Sequence, residues 1–125
     1  MSAGWLYVAL GGALGSVGRY AVALALRAPA ATFPFATLAV NVLGSTLIGM
    51  LAALLPPDAL ALRVFLMAGV LGGFTTMSTF SLEVVLLLGQ GRWPVAGVYL
   101  AGSLLGCLGG CALGHALGGV LRTTL

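Results

Sequence analysis

Uncharged, largely apolar stretches alternate with isolated charges along this chain. Residues 1–18 precede Arg19 without a charge; 28–57 lie between Arg27 and Asp58, 64–82 between Arg63 and Glu83, and 93–121 between Arg92 and Arg122. A helix needs about 20 mainly apolar residues to cross a bilayer. The pattern therefore predicts an all-α membrane protein whose single domain, 1–125, has transmembrane helices near 3–26, 34–55, 62–88 and 94–119. Prolines punctuate it: Pro29 and Pro34, with Thr32 between them, fit a turn after the first helix, and Pro56-Pro57-Asp58 ends the second. The first segment lacks a basic start and its apolar pattern continues past Arg19, unlike a secretory signal.

Small and polar residues inside these spans fall into faces. In the first helix Gly11 and Gly15 form a small-xxx-small face on which another helix can approach closely. In the second, Thr37, Asn41 and Ser45 recur at helical spacing on one face. The Asn41 amide is costly in hydrocarbon unless it bridges helices or meets a solute, and both readings stay open. The third helix carries the densest polar run, from Gly69 to Glu83: paired Gly72-Gly73, five hydroxyls and a terminal carboxylate. Gly72-Gly73 invites a local unwinding, and Thr75, Thr76, Ser78, Thr79 and Ser81 can satisfy freed backbone or face a polar solute. A tightly packed, continuous helix is the plainer alternative. In the fourth, Gly102, Gly106, Gly110, Gly114 and Gly118 form a groove, beside a second stripe of Tyr99, Ser103, Cys107, Cys111 and His115.

Composition agrees: 61% of residues are hydrophobic and 6% charged, against about 25% charged in an ordinary soluble domain. The five arginines are scattered, so a formal charge of +3 does not point to nucleic acid. Cys107 and Cys111 make neither a disulfide framework nor a metal motif. No nucleophile–base pair, phosphate loop, metal cluster or twin carboxylate is present, so no enzyme is expected.

The charges also bear on orientation. With four spans, Arg63 and Arg122 fall on one side of the membrane and Arg27 and Arg92 on the other, which Arg19 reaches by snorkelling. Topology follows an excess of Lys and Arg on the cytoplasmic side, and here the two sides nearly balance. The chain is expected to insert both ways and pair antiparallel; a single orientation fixed by one arginine is the alternative.

Three motifs in order now carry a resemblance. Gly72-Gly73-Phe74-Thr75-Thr76-Met77-Ser78-Thr79-Phe80-Ser81-Leu82-Glu83 resembles the third-helix signature of the Fluc (CrcB) fluoride channels. Gly12-Ala13-Leu14-Gly15-Ser16-Val17-Gly18-Arg19-Tyr20 and Asn41-Val42-Leu43-Gly44-Ser45 are similar to that family's first- and second-helix motifs. The resemblance implies an antiparallel, dual-topology homodimer in the cell (inner) membrane, with two fluoride pathways that passively export the ion and lower its toxicity. It implies a structural sodium ion at the dimer centre on the carbonyls of Gly72 and Thr75. It places Asn41 and Phe80 in the anion pore, Tyr99 and Ser103 on a polar track, and Thr37, Thr79 and Glu83 in or near the pore. Met77 stands where the family usually has a second phenylalanine, and Cys107 where it more often has a hydroxyl.

The chemistry suits such an ion independently. Fluoride is small and strongly hydrated, so a pore has to replace its water with amide, hydroxyl and aromatic C–H donors without a fixed cation that would trap it. The rival from another class is a small four-helix, dual-topology drug or cation exporter. That mechanism needs a carboxylate deep in the membrane, and here the first helix has none while Glu83 lies near a segment end. A membrane scaffold, with Asn41 and the third-helix polar run as packing elements, is the second rival.

Overall fold

The computed structural model describes residues 3–26 and 33–124. Arg27, Pro29 and Thr32 lie outside the described residues. Helix α1 spans Ala3–Ala25, α2 spans Phe35–Leu54, and the third membrane segment is composite. It begins with α3 (Leu60–Arg63), widens into a π-helical stretch (Val64–Leu71), returns to α-helix in α4 (Gly72–Phe74), breaks, and resumes as α5 (Met77–Gly89). Helix α6 (Trp93–Thr124) completes the chain. Four helical stretches are thus long and apolar enough to cross a membrane: Gly4–Ala25, Phe35–Leu54, Leu60–Gly89 and Trp93–Thr124.

Local chemistry sets the turns. Helix α2 stops at Leu55, whose extended backbone (φ −79°, ψ 127°) leads into Pro56-Pro57. Arg63 then donates from Nη1 to the Leu55 carbonyl at 2.8 Å, capping α2 with a cation at the negative end of its dipole. Between α5 and α6, Gly91 adopts φ +72°. Its N–H reaches the Leu88 carbonyl at 3.0 Å and the Arg92 N–H reaches Leu87 at 2.9 Å, the paired bonds of a Schellman turn.

Glycine determines which helices meet. Lipid tails are as apolar as leucine, so helices in a membrane associate through close packing rather than burial of apolar surface. Helix α1 lies against the π-helical stretch and α4, where a Cβ on Gly11 would sit 2.5 Å from the Phe65 carbonyl oxygen and one on Gly15 would collide with the carbonyl of Val70. Gly106, Gly110, Gly114 and Gly118 seat α6 on Val42, Thr46, Met50 and Ala53 of α2. Gly49 faces the Cys111 backbone from the α2 side. The expected glycine groove is therefore real from Gly106 onward, whereas a Cβ on Gly102 would meet nothing within 4 Å. The stripe beside it also divides: Tyr99 and Ser103 are buried, Cys107 and Cys111 half-buried, and His115 exposed.

The break differs from the expectation. Gly72 is ordinary right-handed helix (φ −62°, ψ −37°), and the chain becomes extended at Thr75 (φ −83°, ψ 157°) and Thr76 (φ −150°, ψ 112°). Gly73 serves packing instead: a Cβ there would sit 2.5 Å from the Gly12 carbonyl oxygen. Extended backbone suits β-branched threonine, so unwinding there needs no glycine.

Two substitutions check the packing account. Gly15→Ala and Gly114→Ala each place a methyl into a neighbouring carbonyl and should destabilise the bundle by about 1–3 kcal/mol. Gly109→Ala, whose Cβ meets open space, should be neutral or gain up to about 1 kcal/mol of helix propensity. Unfolding in detergent by circular dichroism would separate the two classes.

Candidate functional site

The break is held from α2. Thr76 donates its backbone N–H to Asn41 Oδ1 at 2.7 Å, and Asn41 Nδ2 donates back to the Thr76 carbonyl at 3.0 Å. One side-chain amide thus pairs both backbone groups of the residue that leaves the helix, as a neighbouring strand would. Thr76 is also the N-cap of α5: its Oγ1 accepts from Thr79 N–H at 3.2 Å and donates to Thr79 Oγ1 at 3.0 Å. On the other side Thr75 Oγ1 bonds the Leu71 carbonyl at 3.0 Å, closing the last turn of α4.

These bonds leave two carbonyls open. In a continuous helix the Gly72 carbonyl would receive the Thr76 N–H and the Thr75 carbonyl the Thr79 N–H. The first amide is turned to Asn41 and the second to the Thr76 hydroxyl. Gly72 and Thr75, the residues expected to carry a cation on backbone oxygen, both line the same cavity.

That cavity, of about 410 Å³, is also lined by Asn41, Phe80, Met77 and Ser103, with Cys107 one turn beyond Ser103. Among the described residues no charged side chain borders it. Ser103 is 5% exposed and its Oγ has no hydrogen-bond partner, while the Asn41 amide keeps one N–H beyond the bond to Thr76. Phe80 is buried, with its ring 5.0 Å from that of Tyr99. Met77 lines the same cavity as Phe80 and is 68% exposed.

A second cavity of about 300 Å³ lies across the break, lined by Thr37, Thr79, Ser16, Arg19 and Tyr20. Thr76 lines both cavities. Arg19, equally readable from sequence as a snorkelling anchor, here brings a cation to a hydroxyl-lined recess. Glu83 and Tyr99 line neither cavity. They form a unit behind them, in which Tyr99 Oη donates to Glu83 Oε2 at 2.6 Å and Thr37 Oγ1 donates to Oε1 at 2.9 Å. Glu83 is half-buried, with a donor on each oxygen, and Tyr99 is fully buried. The Thr37–Asn41–Ser45 face expected from spacing is thus turned toward the third segment. Thr37 meets Glu83 there, Asn41 holds the break, and Ser45 lines the first cavity.

Sequence reasoning missed Thr76 as the centre of the site. The available signal was a threonine opening a helix three residues ahead of another hydroxyl, the spacing of an N-cap. The Tyr99–Glu83 bond had no signal, because it joins two helices whose relative rotation the sequence does not state.

Four membrane-length helices, with hydroxyl and amide side chains bordering otherwise apolar cavities, define a multi-pass membrane protein. The family model described as CrcB-like protein, Camphor Resistance (CrcB), matches residues 6–115. A protein of Opitutus terrae described as a fluoride-specific ion channel FluC is 52% identical over 110 residues, covering 83% of each chain. Proteins of the same description are 53% identical over 110 residues in Anaeromyxobacter dehalogenans (82% of this chain, 85% of that one) and 49% over 104 in Chlorobium chlorochromatii (81% of each). The chain belongs to the CrcB family.

The carboxylate unit generates a prediction. Tyr99→Phe leaves Glu83 Oε2 without its donor and should cost about 1–2 kcal/mol, the upper range for interhelical hydrogen bonds in membranes, because the acceptor is a carboxylate. A double-mutant cycle with Glu83→Gln, read by unfolding in detergent, would measure the coupling.

Proposed function

We propose that this chain forms a passive, fluoride-selective channel that lets fluoride leave the cytoplasm and so lowers its toxicity. One observation carries the reading beyond family membership: the buried, unpartnered Ser103 hydroxyl in an uncharged cavity that Asn41 and Phe80 also line. A buried O–H without an acceptor costs roughly 1–3 kcal/mol, and an anion lodged there would accept it. The remaining Asn41 N–H and the partly positive edge of the Phe80 ring are further donors suited to a strongly hydrated anion. Thr37, Thr79 and Arg19 form the recess before the break, where a cation at the rim draws anions without sitting in the inner cavity. Tyr99 and Glu83 set the rotation of α5 against α6 beside the Ser103 track. An inside-negative potential favours anion exit by about 2.3 kcal/mol per 100 mV, so export needs no coupled energy source. The cation-exporter alternative lacks its central part, since no carboxylate borders either cavity among the described residues.

The working unit in this reading is an antiparallel homodimer in the inner membrane. Met77, Leu104 and Leu108, which edge the first cavity, are exposed on one face of the single chain, and a second copy would close that face. Arg63 and Arg122 on one side against Arg27 and Arg92 on the other leave orientation weakly biased, which supports insertion both ways. The freed carbonyls of Gly72 and Thr75 fit a sodium ion, a hard cation that prefers unwound backbone oxygens. When bound it supplies a fixed positive charge that no side chain of the first cavity brings.

Purified protein in liposomes should release fluoride down its gradient and retain chloride. Equal chloride flux, or fluoride movement that requires a proton gradient, would sink the proposal. Phe80→Ile should slow fluoride release about tenfold or more, roughly 1.4 kcal/mol on the barrier. Met77→Phe, at an exposed position, should leave it within about a factor of two, as volume-conserving apolar exchanges are well tolerated.

Orientation gives a separate check. Lysines appended to the C-terminus should fix one orientation and silence the protein, and a copy biased the opposite way should restore flux on co-expression. Full activity of a single biased form would exclude the antiparallel dimer.

A further inference from the structure

We infer that Asn41 is a positioning residue for the cation site: its side-chain oxygen keeps the third segment broken and so keeps the Gly72 carbonyl available. The inference rests on the sodium reading above and assigns Asn41 a role distinct from donating to an anion. The Thr76 N–H is the amide that helical continuation would return to Gly72, and it is held by Asn41 Oδ1 at 2.7 Å. Helix α2 is pressed onto the break at this point, since the Thr75 methyl occupies the space a Cβ on Gly44 would take. An amide deprived of Asn41 returns to a protein acceptor most simply by continuing the helix, which leaves it paired within its own segment. Thr76 Oγ1 is committed to Thr79, and Thr75 Oγ1 to Leu71. The carbonyl of Gly72, four residues back, is the natural alternative. Closing that bond extends α4 through Thr76 and consumes one of the two oxygens offered to the cation.

The two atoms of the Asn41 amide act differently, and that makes the inference testable. Asn41→Asp keeps an acceptor for the Thr76 N–H but loses the donor to the Thr76 carbonyl. Asn41→Leu has similar size and loses both. The measurement is thermal unfolding of the purified protein in sodium and in N-methylglucamine salts. The unmodified protein should unfold on the order of 5 °C higher in sodium, as a site filled only in the folded state requires. Asn41→Asp should keep that rise, and Asn41→Leu should lose it while still folding. A rise retained in full by Asn41→Leu, or lost in Asn41→Asp, overturns the inference, because a side chain that merely packs would lower both salts' curves together. Asn41→Ala replaces the leucine variant if that does not fold, and the Asn41→Asp arm decides alone if neither does. If the unmodified protein shows no sodium response, the sodium reading fails, and backbone carbon chemical shifts then decide the role of Asn41. Helical shifts through Gly72–Thr76 in Asn41→Leu support it, and extended shifts at Thr75 and Thr76 in that variant refute it.

Discussion

The amide pair between Asn41 and Thr76 is the interaction on which this bundle depends. Backbone groups at membrane depth have no water to fall back on, so a helix opens there only where something else satisfies what it gives up. Asn41 does this with one side chain, accepting from Thr76 N–H and donating to its carbonyl. Everything useful near the break follows from that substitution of partners. Thr76 caps α5, Phe80 is buried, and the amides that a continuous helix would return to Gly72 and Thr75 are bonded elsewhere. A polar residue facing lipid would be a liability, and this one is placed where the backbone itself is its counterpart.

Glycine supplies what the amide cannot, which is contact. The apolar core is small, built on Phe80, Val84, Leu87, Ala96 and Tyr99 with partly buried neighbours, while side chains such as Trp5, Leu105 and Leu108 lie on the outside. Inside a membrane that outward apolar surface is ordinary, and cohesion comes from backbones brought within reach of one another. The α1 seam on the π-helical stretch and the α6 seam on α2 both work this way. The widened turns Val64–Leu71 and α4 are the parts of the third segment that α1 meets.

Much of this was written in the sequence, though not all of it. Charge spacing marks the four membrane segments, and periodic glycines mark the faces, because both signals are local and repeat along one helix. The Thr37, Asn41 and Ser45 face was legible for the same reason. The position of the break was not: Gly72-Gly73 looks like the weak point, yet Gly73 is needed for the approach to Gly12, and the chain opens two residues later where Asn41 reaches it. The polar stripe of the last helix read as one track from Tyr99 to His115. Helix α6 meets α5 only near its start, so Tyr99 and Ser103 are enclosed while His115 is exposed. Pairings between helices are decided by rotation and register, which no single segment's pattern records.

The two glycine seams join segments that are not neighbours in the chain. Helix α1 packs on the first half of the third segment and α2 on α6, while α1 and α2 touch little. With four alternating spans, each seam joins helices that run in the same direction across the bilayer. During synthesis, therefore, the first helix enters the membrane before its partner exists, and the second waits until the last has emerged from the ribosome. The adjacent pair that shares a core, α5 and α6, is also the last to emerge, so the bundle is assembled after insertion, from spans already in lipid. Each of those waiting spans carries a bare glycine face and, in α2, an unpaired asparagine. The protein's most exposed moment is in its own biogenesis, when that amide has left the aqueous channel and the Thr76 backbone has not yet arrived to receive it.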